Sequence, residues 1–361
     1  MNLGTWTNPI PWVVYGFPLI AIHMVQTYTP AGERFLIWDN LSGDGHGMHT
    51  FVRVWDPEHT ENGVKIGIFR PSEQSQFTGV PPNNGHNDMF CGGHTQLADG
   101  RPFVAGGHVH GDMGTDKSDR FNVSNLTWYA LANMGANFTR WYPSMTTDPW
   151  GRILATGGTF KIGNDTLPRL DPQLYDPFTN TWATLPTEPS SSFYYYPFVF
   201  VLPNPVQTFD SEGVPRTFPA GSFFYAGWRH EARILGRFPG GVWRWSTIFS
   251  SQPLNDDYGS SVMYEPGKIV KFGGGGNIGI APTTKAMKID MTSSGSQTWM
   301  SAGEMHHPRR HCNGIMLADG TVFVIGGIKT ISDESRRYGE PVYEPELWNP
   351  RTLPGQNPWK K

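Results

Sequence analysis

Apolar residues in this chain come in short bursts of about five, each opened by a turn glycine and closed by small residues, most often Gly-Gly. Four copies are plain: Gly100 to Gly106-Gly107, Gly151 to Gly157-Gly158, Gly267 to Gly273-Gly274 and Gly320 to Gly326-Gly327. In each, the turn glycine precedes the first glycine of the pair by six positions, and two weaker copies, Gly32 to Trp38 and Gly221 to Gly227, keep that offset. Apolar runs this short, bounded by glycines, predict strands rather than helices. An Asp-Gly turn such as Asp99-Gly100 or Asp319-Gly320 accommodates the positive φ of a tight hairpin, and the terminal glycines allow the backbone to approach something closely.

Downstream of these strands lie Trp55-Asp56-Pro57, Tyr175-Asp176-Pro177 and Trp348-Asn349-Pro350, which are expected to mark a fourth strand, and an outer tryptophan at Trp128, Trp182 and Trp299. Hairpin, Gly-Gly, aromatic-Asp-Pro and Trp repeating at about fifty residues is the signature of a kelch-type propeller blade. The turn glycines are 46 to 70 residues apart, so the longer intervals hold insertions. The prediction is an all-β, seven-bladed propeller with six recognisable blades, residues 1–361 forming one domain whose seventh turn glycine falls after Lys361. The glycine pairs belong to the fold and specify no activity. Ile10 to Met24, the most apolar stretch, contains Pro11 and Pro18 and is too short to span a bilayer, so it is expected to be the first strand.

Composition narrows the classes. The chain has 43 Gly and 31 Pro in 361 residues, which disfavours helix. Charged residues make up 16% and aromatics 14%, so the surface is polar through Tyr, Trp, Asn and Thr rather than through charge. A net charge of −3 without a block of like charge gives no footprint for nucleic acid or an anionic membrane. The start of the chain has no cationic segment leading into an apolar run and a cleavage site, so any secretion signal has been removed or never existed. Sequons at Asn40, Asn122, Asn125, Asn137 and Asn164 suit a secreted eukaryotic protein. Two cysteines, Cys91 and Cys312, are too few for a disulfide framework.

The order and spacing of several segments resemble the radical copper oxidases, the galactose oxidase and glyoxal oxidase family. They are Gly4-Thr5-Trp6, Phe17 to His23, Asp88-Met89-Phe90-Cys91, Arg140-Trp141-Tyr142-Pro143, Asp257 to Tyr264 and Pro308-Arg309-Arg310-His311. The resemblance implies a propeller followed by a β-sandwich, with copper near the ring axis and an alcohol or aldehyde as substrate. It implies that Cys91 and Tyr142 can form a thioether, that Tyr142 is both copper ligand and radical site, and that Phe160 takes the place of the ring stacked over the thioether. An ortho sulfur donates electron density into the phenol and eases its one-electron oxidation, and phenolate oxygen is a competent Cu(II) ligand. The family's axial tyrosine and two copper histidines lie beyond Lys361, so the chain alone is expected to hold no competent copper and to keep Cys91 as a thiol. Cys91 and Tyr142 each stand nine residues before a turn glycine, which predicts that they meet at adjacent blades near the axis.

Other candidates carry blander readings. His108 and His110 are two apart, a geometry for a metal pair, but read as a polar loop after Gly107. His311-Cys312 reads as a non-ligand pair in the sixth repeat, and Tyr194-Tyr195-Tyr196, Trp228 and Arg229 as outer-strand packing with a sugar-stacking alternative. Three functions stay open: a truncated or split copper-radical oxidase, a non-catalytic propeller binding glycan or protein, and a structural protein. In each, the open ring edge needs a cover, which a downstream segment, a second chain or self-association would supply.

Overall fold

The computed structural model describes residues 23–29, 32–40, 50–61, 89–109, 113–125, 127–189, 194–227, 231–247, 258–275, 281–292, 297–330, 339–353 and 355–361, with short pieces at 13–14, 17–18, 64–65, 68–69 and 76–78 and single residues at 249 and 295. Six sheets, each with four antiparallel strands in succession, follow one another along the chain as the blades of a propeller; the second gains Gln76–Thr78 as a parallel fifth strand and the third gains Asp165–Pro168. Their innermost strands are His23–Thr29, Gly93–Gln96, Trp141–Thr147, Phe198–Val201, Ser260–Glu265 and Asn313–Met316. The six apolar bursts form the second strands: Gly32–Asn40, Pro102–Ala105, Ile153–Ile162, Phe223–Gly227, Lys268–Phe272 and Val322–Ile325. All six turn glycines have φ between 77° and 110°, as the hairpin demands. Among the described residues the only helical element is a single turn at Pro239–Gly241, and no helix is long and apolar enough to cross a membrane.

The central positions of the second strands are mostly apolar, because those of blades 2 to 5 are covered on both faces by a neighbouring blade. Phe103 packs towards blade 3 with Ile153 and Tyr175, while Val104, next in the chain, packs towards blade 1 with Leu36 and Trp38. The alternation repeats at Ile153 and Leu154, at Phe223 and Phe224, and at Ile269 and Val270. Five apolar clusters thereby join blades 1 to 2, 2 to 3, 3 to 4, 4 to 5 and 5 to 6. Each fully buried side chain contributes about 2 kcal/mol. No such cluster joins blade 6 to blade 1 among the described residues, and Ile315 and Met316 on the innermost strand of blade 6 remain 53% and 52% exposed.

Two expectations need correction. The aromatic-Asp-Pro and Trp-Asn-Pro motifs end the third strand of blades 1, 3 and 6, Thr50–Asp56, Gln173–Asp176 and Glu346–Trp348, and not the fourth. The reason is local. Asp56, Asp176 and Asn349 each accept a backbone N–H two residues on, from Glu58, Phe178 and Arg351, and so turn the chain towards the last strand. The outer tryptophans Trp128 and Trp182 lie in that fourth strand. Ile10 to Met24 is also not one strand: Val13–Val14 pairs with Phe17–Pro18, and the innermost strand of blade 1 begins at His23.

Candidate functional site

At the inner end of five successive blades one residue adopts left-handed backbone: Cys91 (φ 65°), Tyr142 (62°), Tyr196 (43°), Tyr258 (60°) and His311 (58°). Each lies at or within two residues of the start of its innermost strand. L-residues reach this region only when their surroundings hold them there. Here the holder is a ladder running from blade to blade. Tyr142 N–H donates to Cys91 C=O at 2.8 Å, Tyr196 N–H to Tyr142 C=O at 2.8 Å and His311 N–H to Tyr258 C=O at 2.9 Å.

The glycine pairs close around the same turns. Gly107 N–H donates to Arg140 C=O at 3.1 Å, and Gly274 N–H to Arg309 C=O at 2.7 Å. A Cβ at Gly106 would stand 2.8 Å from Arg140 O, so no larger residue fits. A buried arginine two residues before the axial position fastens the turn from the other side. Arg140 Nη1 donates to Gly157 C=O at 2.8 Å and Nη2 to Asp171 C=O and Gln173 Oε1. Arg309 repeats this with Gly326, Glu344 and Glu346, its ion pair to Glu346 fully buried at 3.1 Å. Burial and then the Arg169 charge bring Arg140 down to about 9.

Cys91 and Tyr142 therefore occupy adjacent rungs, and Tyr196, on the next, joins them. Its ring lies 4.9 Å from that of Tyr142, and burial, then the Cys91 thiol and the Tyr142 phenol, raise its own phenol well above the ordinary value. Trp141 stacks on Tyr142 at 3.9 Å, and Tyr195 meets it edge-on at 5.6 Å. Phe160 sits in the second strand of the Tyr142 blade with the Arg169 guanidinium 3.7 Å above its ring. Thiol and phenols brought together in a largely apolar setting suit one-electron chemistry at a phenol.

One expectation fails at this site. Tyr196 is an axial residue and not outer-strand packing, and Tyr195 lies against Tyr142 and Trp141. His311 belongs to the sixth blade, where it stands at the axial position with its ring 4.6 Å from Tyr258, and burial then Arg310 lower it to about 4. The signal was available. Tyr258 and His311 stand nine residues before Gly267 and Gly320, the offset already seen at Cys91 and Tyr142. Tyr196 hides because a hairpin, Val206–Phe209 with Pro215–Phe218, is inserted before its turn glycine. His108 lies beside Phe90 at 6.4 Å; His110, Asp88, Asp257, Trp228 and Arg229 fall outside the described residues.

As a seat for copper the donor set fits in part. Tyr142 offers a phenol beside a thiol, but the described residues contain no group of three or more His, Cys, Asp or Glu side chains that could hold a metal ion.

No family model matches the chain. Galactose oxidase of Gibberella zeae is 24% identical over 384 aligned residues, and a second sequence of that enzyme gives the same figures. The alignment covers 98% of this chain and 50% of the relative, so the chain spans about half the length of the curated relatives it matches. Among solved structures, a fungal alcohol oxidase of the AA5 family in complex with copper superposes with a TM-score of 0.65 at 23% identity, over 95% of this chain and 66% of that one. The structure of YjhT superposes with a TM-score of 0.57 at 12% identity, over 96% and 98%. The resemblance drawn from the sequence is borne out: along nearly all of its own length the chain is a homologue of galactose oxidase.

Proposed function

We propose that this chain is the propeller of a copper-radical oxidase, which turns a primary alcohol and O₂ into an aldehyde and H₂O₂, or an aldehyde, water and O₂ into the acid and H₂O₂. The observation that supports this best is the pair of adjacent rungs holding Cys91 and Tyr142, with Tyr142 N–H bonded to Cys91 C=O at 2.8 Å. In this reading residues 1–361 form one kelch-type domain of a secreted protein, and a seventh blade and further ligands lie outside it. Tyr142 would be one copper ligand and the phenol that, once oxidised by one electron, takes up the second electron from the substrate; Cys91 is its thioether partner. Phe160 lies at the substrate side with Arg169. Copper, when bound, supplies the first electron's acceptor. The propeller's own residues fix the positions of phenol and thiol, and the flat ring of Trp141 shields Tyr142 from water.

The crosslink forms a C–S bond between Cys91 Sγ and the ortho carbon of Tyr142 with loss of the thiol and ring hydrogens, O₂ taking both as H₂O₂. Peptide mass spectrometry of the full-length protein after aerobic copper loading is expected to find the Cys91 and Tyr142 peptides joined and lighter by two hydrogens, with peroxide released from alcohol or aldehyde. Residues 1–361 treated alike are expected to keep Cys91 as a thiol. A full-length protein that loads copper but yields neither crosslink nor peroxide would replace the oxidase with the non-catalytic propeller.

A further inference from the structure

Blade 1 breaks the pattern of the axis in two places, and the two departures touch. Where most other blades carry a glycine after the second-strand burst, blade 1 carries Trp38, whose Nε1–H donates to Met89 C=O at 3.3 Å. Where Tyr142 and Tyr196 donate to a backbone carbonyl of the preceding blade, Cys91 N–H donates to a side chain, His23 Nε2, at 3.3 Å. His23 is buried and its imidazole stacks on the Trp38 indole at 5.2 Å with planes 12° apart. His94 meets it edge-on at 5.6 Å, Phe90 at 6.0 Å, and Tyr196 lies at 6.5 Å.

We infer that His23, held flat by Trp38, is a positioning residue for Cys91: its Nε2 replaces the carbonyl that would head the axial ladder and thereby sets the turn that presents the thiol towards Tyr142. This rests on the reading of Cys91 and Tyr142 as the reactive pair. The tautomer follows from the bond. Nε2 accepts, so the ring proton sits on Nδ1 and the imidazole is neutral. Burial, and then the neighbouring His94, favour the same neutral form. The order of the ladder gives His23 a reach beyond its own contact, since Cys91 C=O in turn receives Tyr142 N–H and Tyr142 C=O receives Tyr196 N–H.

Two measurements test this without copper, so their failure is distinct from failure of the oxidase reading. Nitrogen NMR of ¹⁵N-histidine-labelled protein at neutral pH is expected to give His23 the neutral Nδ1–H form; an Nε2–H or doubly protonated ring would overturn the inference, and no variant need fold for this result. Residue-resolved amide exchange is the second. His23→Phe keeps the stack on Trp38 and removes the acceptor, so Cys91 N–H is expected to exchange at least tenfold faster while amides of the second strand, Pro102–Ala105, keep their rates. His23→Gln, which offers an acceptor oxygen, is expected to restore most of the protection. Unchanged Cys91 exchange in His23→Phe, or equal loss in both variants, would refute the positioning role.

Discussion

Tyr258 stands at φ 60°, and what it tolerates follows from that angle more than from its ring. A β-branched side chain is strained there, whereas asparagine visits the region readily. Both Tyr258→Thr and Tyr258→Asn lose the ring contacts, so their difference isolates the backbone. Urea unfolding is expected to place Tyr258→Thr roughly 1–2 kcal/mol below Tyr258→Asn; equal midpoints would mean that the turn relaxes. The buried imidazoles set a second expectation. Burial lowers His23 to about 3, with His94 adding to it, and lowers His94 to about 4. An unfolded chain takes up protons on these rings as the pH falls below about 6.5, while the folded chain does not until near 4, so stability is lost across that interval. The slope is roughly 1.4 kcal/mol per pH unit for each histidine. Midpoints measured between pH 7 and 5 are expected to fall steadily, and His94→Gln to remove about a third of the slope, since His311 is lowered to about 4 as well; a flat profile in the parent chain would contradict neutral burial.

Blades are repeated elements, and the buried arginine shows how a repeat can vary. Arg309 reaches Glu346, which also receives His306 N–H and His307 N–H, whereas Arg140 at the corresponding place reaches Gln173. Glu346→Ala leaves a buried guanidinium unpaired and is expected to cost about 3–5 kcal/mol. Glu346→Gln, which copies blade 3, is expected to cost less than half of that by thermal unfolding, and equal losses would show that charge rather than hydrogen bonding holds the turn. The second strands were legible in the sequence because cover by neighbouring blades leaves a short, mostly apolar run and the hairpin leaves a glycine. The third strands were misassigned because an Asp or Asn after an aromatic residue announces a turn but not its number in the sheet. Cys91 and Tyr142 were legible by their offset from Gly100 and Gly151, and Tyr258 and His311 share that offset. The ladder between them was not, since it joins residues about fifty apart through backbone atoms that any sequence possesses.

At the scale of the whole molecule, the described residues form a chain of five blade-to-blade interfaces, and among them no apolar cluster joins the sixth blade to the first. Ile315 and Met316 are more than half exposed there, beside half-buried Phe323 and Ile325, which leaves an apolar strand edge open to pairing. Light scattering on residues 1–361 is expected to show concentration-dependent association that Ile315→Asp reduces. A monodisperse monomer at high concentration would show that the face is covered from within. The axial ladder has a wider consequence. Because main-chain atoms join Cys91 to Tyr142, Tyr142 to Tyr196 and Tyr258 to His311, these rungs behave as interchangeable sockets into which thiol, phenol or imidazole can be set without redesigning the blade that carries them. A propeller built this way can exchange one chemistry for another by single substitutions at its hub, and a histidine at position 258, where the ring now lies 4.6 Å from that of His311, would make the first pair with which to plant a metal there.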